Sequence, residues 1–421
     1  MVCGGTSKTL RPQFFNGHEG SMLQGRAKIY AIAQVVISSL GFFTSLIGGG
    51  LLLAFGFFSG MIDPLTANDA GLMLVIGWTS LLISVAFLLA LISAVFHLQS
   101  RSMPALKPGM QRIIQIALIG IWIVSILGVL LISRYQALNL ITSLLIIPLV
   151  LVPILFFFWI GARNLSLGNR PRVWGAVAFN FSIMMPVVLT AELILFFIIF
   201  MIAAVWLAGQ PELLSQIMMY AEQISNGLME PLEAEKLLTD LISRPIFLNG
   251  SILVVAVLVP LLEELFKPMA IWFLAGKHLT PSQGFMGGLI GGACFAMLES
   301  LGAVGIPAES EWVMLLFGRT GTGLLHVTLS GLVGWGIASA FYNRNWGRAI
   351  FTYLLAVSIH GLWNFFALLS GIVPILPISE EMNNLPVLLG QMGVFVLVTL
   401  FVINLVLLFS INRQLQRQPA E

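Results

Sequence analysis

Acids, amines and imidazoles recur in this chain inside stretches that are otherwise apolar. Within residues 247–275, Glu263, Glu264 and Lys267 share one helical turn, the lysine four residues after one acid and three after the other. Glu299 lies in the next apolar stretch, His326 in the one after it, and His360 in a fourth, with Asn364 one turn further along. An ionisable group at the centre of a bilayer costs about 3 kcal/mol on insertion scales, so such groups face protein or water and work there. Adjacent glutamates point about 100° apart around a helix, which suits two tasks, one acid facing a reaction centre and the other pairing with Lys267. A carboxylate so held can serve as a general base. Asn364, on the same face as His360, can orient an imidazole, hold a water or donate to an oxyanion.

The elements that carry these groups must cross a membrane. The chain has 421 residues, 58% of them hydrophobic and 9% charged, with a mean hydropathy of +0.99. Soluble domains carry roughly 25% charged residues. Apolar stretches of the length needed to span ~30 Å of hydrocarbon as helix recur along the chain, and no alternating ten-residue strand pattern competes with them. The expected fold is therefore all-α, a polytopic transmembrane helical bundle. Ten spans are read at 29–59, 70–98, 113–133, 138–161, 174–208, 247–275, 284–304, 313–342, 349–371 and 386–411.

Charge sets the expected orientation. With the amino terminus inside, fifteen Lys and Arg fall in inner segments and four (Arg134, Lys236, Arg244 and Arg319) in outer ones, which puts both termini in the cytoplasm. Residues 1–28 are polar and basic without an apolar core, so they read as a short disordered cytoplasmic tail rather than a cleavable signal. Residues 29–208 form a five-helix accessory half, and 372–421 hold the last span and a cytoplasmic tail. Residues 209–246 form an acidic outer loop with two short amphipathic helices. One carries the stripe Leu213, Ile217, Tyr220 and Ile224; the other begins near Pro231 and carries Ala234, Leu238, Leu241 and Ile242. A connector is the reading adopted for this loop, with a lid that admits substrate as its rival.

Two local patterns bear on how the polar groups meet. Pro260 and Pro268 bracket the Glu263–Lys267 turn and weaken its backbone ladder, which predicts a kink. Gly284, Gly288 and Gly292 make one small face, with Gly287 and Gly291 beside it, and such faces let membrane helices approach closely. Glu299 falls on nearly the same face and is expected to point into that contact. In the first half one carboxylate is buried, Glu192, and it reads as bonded to a neighbouring helix of that half, the rival reading being that it reaches the same cavity. The two cysteines, Cys3 and Cys294, exclude a disulfide framework, and no basic face suits nucleic acid.

Taken together, Glu263-Glu264-x-x-Lys267, Phe295-Ala296-x-x-Glu299, His326 and His360-x-x-x-Asn364 resemble the PrsW family of intramembrane proteases, itself similar to the CAAX prenyl protease and bacteriocin-processing superfamily. The resemblance covers residues 247–371. It implies hydrolysis of a peptide bond in or beside a membrane, on a membrane-anchored protein or peptide substrate, among membrane lipids, in a multi-pass protein of a prokaryotic plasma membrane. It assigns water activation to Glu263 and Glu264, and metal binding or oxyanion stabilisation to His326 and His360, with Glu299 and Asn364 completing the catalytic set and Lys267 and Ser300 supporting it. The family's second motif continues with asparagine where this chain has Ser300. His326, His360 and Glu299 with an open water position would make a hydrolytic zinc site. The related superfamily also admits a metal-free glutamate scheme.

Two other functions fit parts of the pattern. A proton- or ion-coupled transporter uses buried Glu, Lys and His, though such proteins often show internal repeats with paired broken helices, and the polar groups here fall in one half. A catalytically silent scaffold would be expected to lack a key motif residue, and only Ser300 departs.

Overall fold

The computed structural model describes residues 17–62, 67–101, 103–104, 107–133, 135–165, 168, 170–226, 239, 244–274, 279–302, 312–372 and 385–417. Among them the protein is all helical, without strands. Backbone polar groups have no water to bond in lipid, and a helix satisfies them within the segment. Ten helices are long and apolar enough to cross a membrane, from Lys28–Ser59 to Pro386–Gln416. These match the ten apolar stretches of the sequence to within a few residues at each end. The chain is a multi-pass integral membrane protein.

The helices are α1 (Gly17–Ile62), α2 (Ala67–Leu98), α3 (Pro108–Ile132), α4 (Asn139–Ala162), α5 (Arg170–Phe179), α6 (Met185–Ala208) and α7 (Pro211–Ser225), followed by α8 (Pro245–Leu253), α9 (Val259–Phe266), α10 (Met269–Leu274), α11 (Pro281–Gly302), α12 (Trp312–Asn343), α13 (Trp346–Ile372) and α14 (Leu385–Gln416). One π-helical turn, Asn180–Met184, joins α5 to α6, and another, Val254–Leu258, joins α8 to α9. The backbone ladder expected to weaken at the Glu263–Lys267 turn is interrupted on both sides of it. Eight-residue α9 stands between the π turn and the break at Lys267–Pro268. In the 209–246 loop, α7 buries Leu213 and half-buries Ile217 and Tyr220, while Ile224 is exposed. The stripe of Ala234, Leu238, Leu241 and Ile242 after Pro231 lies outside the described residues.

Two helices form the centre. In α11 and α12, 83% and 89% of the span core is buried, against 11% in α1. Their contact explains why. Gly284, Gly288 and Gly292 lie against the backbone of Gly334, Ser330 and His326 in turn, so each step of four up α11 meets a step of four down α12. The adjacent glycine face serves a second neighbour, Gly287 against Ile271 and Gly291 against the Lys267 carbonyl. Glycine is required at these positions because any Cβ would enter the neighbouring backbone or side chain. The same apolar core runs through both halves, joining Val75, Ile146 and Phe157 to Leu289, Leu325 and Leu408.

Gly288→Val is therefore expected to destabilise the protein by about 2 kcal/mol, the usual cost of overpacking, because the new Cβ meets the Ser330 carbonyl. Gly250→Ala is the control, since nothing lies within 4 Å of its Cβ position. Melting curves in detergent check the pair; equal melting of both variants contradicts the packing argument.

Candidate active site

The break after α9, the glycine seam and a close approach of α13 bring four helices to one point. Gly361 lies against the Ala256 carbonyl in the π turn, which carries the neighbouring His360 onto α9. A π turn displaces a backbone carbonyl from its usual partner. Asn364 Nδ2 donates to the Val255 carbonyl at 3.0 Å, so this amide ties α13 to the π turn. Tyr353 makes a second tie, its hydroxyl donating to the Leu261 carbonyl at 2.8 Å.

Glu264 and Lys267 have no exposed surface, and Glu263, His326 and His360 expose 6%, 2% and 1%. Lys267 is the hub. Its Nζ lies 2.6 Å from Glu263 Oε2 and 2.9 Å from Glu264 Oε1, and contacts His326 Nδ1 at 2.8 Å. It also stands 4.3 Å from the Phe295 ring centroid, over the ring. Lys267 pairs with both glutamates rather than with one, because residues three and four before it lie on its own face of the helix.

The ring nitrogens follow from this wiring. An ammonium has donors only, so His326 Nδ1 accepts; its Nε2–H then donates to Glu299 Oε2 at 2.9 Å. His360 Nδ1 bonds Glu264 Oε1 at 2.9 Å, and a carboxylate only accepts, so Nδ1 carries the hydrogen. His360 Nε2 is left facing Glu263 Oε2 at 3.9 Å. The two imidazoles meet edge to face, with centroids 5.1 Å apart.

Beyond His326 the network reaches the surface. Glu299 Oε1 pairs with Arg319 Nη1 at 3.1 Å, and these side chains are 35% and 23% exposed. Arg319, counted from the sequence among outer-segment charges, belongs to α12. Its position was readable from the glycine seam, because seven residues beyond Gly292 and seven before His326 bring Glu299 opposite Arg319. Ser300 is fully buried, and its Oγ has no hydrogen-bond partner among the described residues.

Glu192 also reaches this centre. Its carboxyl stands beside the Glu263 side chain, with Lys267 and Glu299 near by. The reading that kept Glu192 within the first half is corrected. Its position on α6, one turn after the buried Val188, turns it toward α9.

Ligand atoms of Glu263, Glu264, His326 and His360 all lie within 4.8 Å of one another, a group able to hold a metal ion. Glu299 stands outside that group, on the far side of His326, with its oxygens engaged by His326 and Arg319. The donors suit a small divalent cation in two respects. His360 presents a free Nε2 with a carboxylate behind its other nitrogen, the usual setting of a metal-ligating histidine. Glu263 Oε2 faces that Nε2 at 3.9 Å, a separation that one ion bridges. Both nitrogens of His326 are already engaged, so that ring joins a metal only by releasing Lys267 or Glu299.

Residues 224–408 match the family model described as PrsW family intramembrane metalloprotease. No curated protein and no solved structure gave a match.

Proposed function

We propose, for a chain that residues 224–408 assign to the PrsW family of intramembrane metalloproteases, that it is an endopeptidase cutting membrane-anchored proteins or peptides, in a prokaryotic plasma membrane. The observation that carries this reading is the convergence of Glu263, Glu264, Lys267, His326 and His360, from three helices and the Lys267 break, on one buried point. Convergence on this scale is what hydrolysis needs, since base, charge stabilisation and proton donor must all reach one carbonyl.

With no metal bound, Glu263 is the general base in this reading. Of the adjacent pair it is the one with some exposure, and its Oε2 faces His360 Nε2. Glu264 holds the Nδ1–H of His360 and shares Lys267, so it orients rather than reacts. The Lys267 ammonium keeps both carboxylates in place and sets a positive charge beside the position where an oxyanion forms. Glu299 and Arg319 fix His326 and line the exposed end of the network, the side from which water enters. Asn364 and Tyr353 act at one remove, by holding α13 on the π turn and α9.

A divalent cation, zinc by donor type, would be held by His360 Nε2 and Glu263 Oε2, with Glu264 orienting the ring from Nδ1. It would supply Lewis acidity toward the substrate carbonyl and a more acidic bound water.

Purified protein in proteoliposomes is expected to cut a single-span reporter substrate and to carry about one divalent ion per chain, as one such site implies. His360→Ala is expected to lose both the ion and the cleavage, and chelation to stop cleavage until metal is returned. Full turnover in His360→Ala refutes the site; full turnover after complete metal removal leaves the protease and refutes the cation. A pH-gradient-driven solute uptake without cleavage would favour the transporter.

A further inference from the structure

Glu192 is the only charged residue in the 24 residues of α6, and it lies outside the stretch 224–408 that matches the protease family. A lone acid on an apolar span needs a partner within the protein. The packing of α6 supplies one. Met185 and Val188 are buried in a small cluster with Met269, just after Lys267, and with Phe295, whose ring faces that lysine. Glu192 follows these residues by seven and four positions, so it continues the same face of α6 toward the Glu263–Lys267 turn. There its carboxyl stands beside the side chain of Glu263.

Lys267 already fixes Glu263 from within its own helix, at 2.6 Å. A second contact from α6 approaches from another direction, and two anchors hold a carboxylate where one leaves it free to rotate. We infer that Glu192 is a positioning residue for Glu263, contributed by the first half of the chain, so that the active site is incomplete without α6. Residues 29–208 then do more than wrap the protease region: one of their helices sets the orientation of its base.

The inference rests on the proteolytic reading above, and the test separates the two. Kinetics of Glu192→Leu, which removes the hydrogen-bonding group, are compared with Glu192→Gln, whose amide N–H still donates to a carboxylate. Mispositioning of a reacting group by about 1 Å can lower rates by up to about 100-fold, and Glu192→Leu is expected to lose about 30-fold in kcat with KM within about twofold. Glu192→Gln is expected to recover most of that loss. Parent-like turnover in Glu192→Leu, an equal loss in Glu192→Gln, or a change confined to KM overturns the inference.

Melting temperatures supply the readout that needs no turnover. Glu192→Leu, Glu263→Leu and the double variant form a cycle, and the two single shifts are expected not to add, because either one breaks the shared contact. Additive shifts overturn the coupling. A parent chain that cleaves no membrane substrate overturns the proteolytic reading instead, and the cycle still decides whether α6 holds Glu263.

Discussion

Glu263→Gln is expected to lower kcat for a membrane-anchored substrate by ~10³-fold, within the range that a positioned general base contributes. The amide keeps the volume and one oxygen of the carboxylate but cannot take a proton from water. KM is expected to change little, since Glu263 exposes only 6% of its surface and contributes little to a substrate-binding face. Glu264→Gln provides the contrast. Glu264 Oε1 accepts from Lys267 Nζ and lies 2.9 Å from His360 Nδ1, so its replacement loosens the imidazole before it touches the reacting water. The loss there should be smaller in rate and larger in melting temperature. Single-turnover cleavage in proteoliposomes, with melting curves on the same preparations, measures both; a silent Glu263→Gln beside a dead Glu264→Gln would exchange the two roles.

Lys267→Met is expected to destabilise the protein by about 3–5 kcal/mol as well as to end cleavage, the usual cost of removing one partner from a buried ion pair. The side chain has no exposed surface, and among the described residues its ammonium is the one cation within 4.0 Å of either Glu263 or Glu264 apart from the histidines. Methionine fills the stem but leaves adjacent carboxylates facing each other, and leaves His326 Nδ1 without its donor. Lys267→Arg is not a safe replacement, because a planar guanidinium cannot occupy the point where three acceptors meet a compact ammonium. Denaturant titration in detergent checks the stability, and parent-like unfolding of Lys267→Met would show that the network is not held by this charge.

The two expectations share a cause. The network from Arg319 through Glu299, His326 and Lys267 to Glu264 and His360 is continuous, and partners in such a chain are coupled. Small-residue packing permits it. Were the α11–α12 seam built from larger residues, His326 and Glu299 would stand too far from the α9 turn for any of these distances.

Much of this was fixed by the order of residues. Ten apolar stretches dictate ten helices, because hydrocarbon leaves the backbone no other partner. Glu263, Glu264, Lys267, Glu299, His326 and His360 identified themselves, since ionisable groups do not persist in such stretches without a task. What the order of residues could not decide was which atom meets which. Periodicity gives the face of a helix; it does not say which neighbour packs against it, and the approach of α12 is what sets His326 beside an ammonium that already meets two acids. Nor does periodicity couple segments remote in the chain, so Glu192 read as a private matter of the first half until α6 was seen beside α9. Helices form from local hydrogen bonds and neighbouring solvent, and those are written along the chain; a catalytic centre forms from contacts between helices, and only packing decides those.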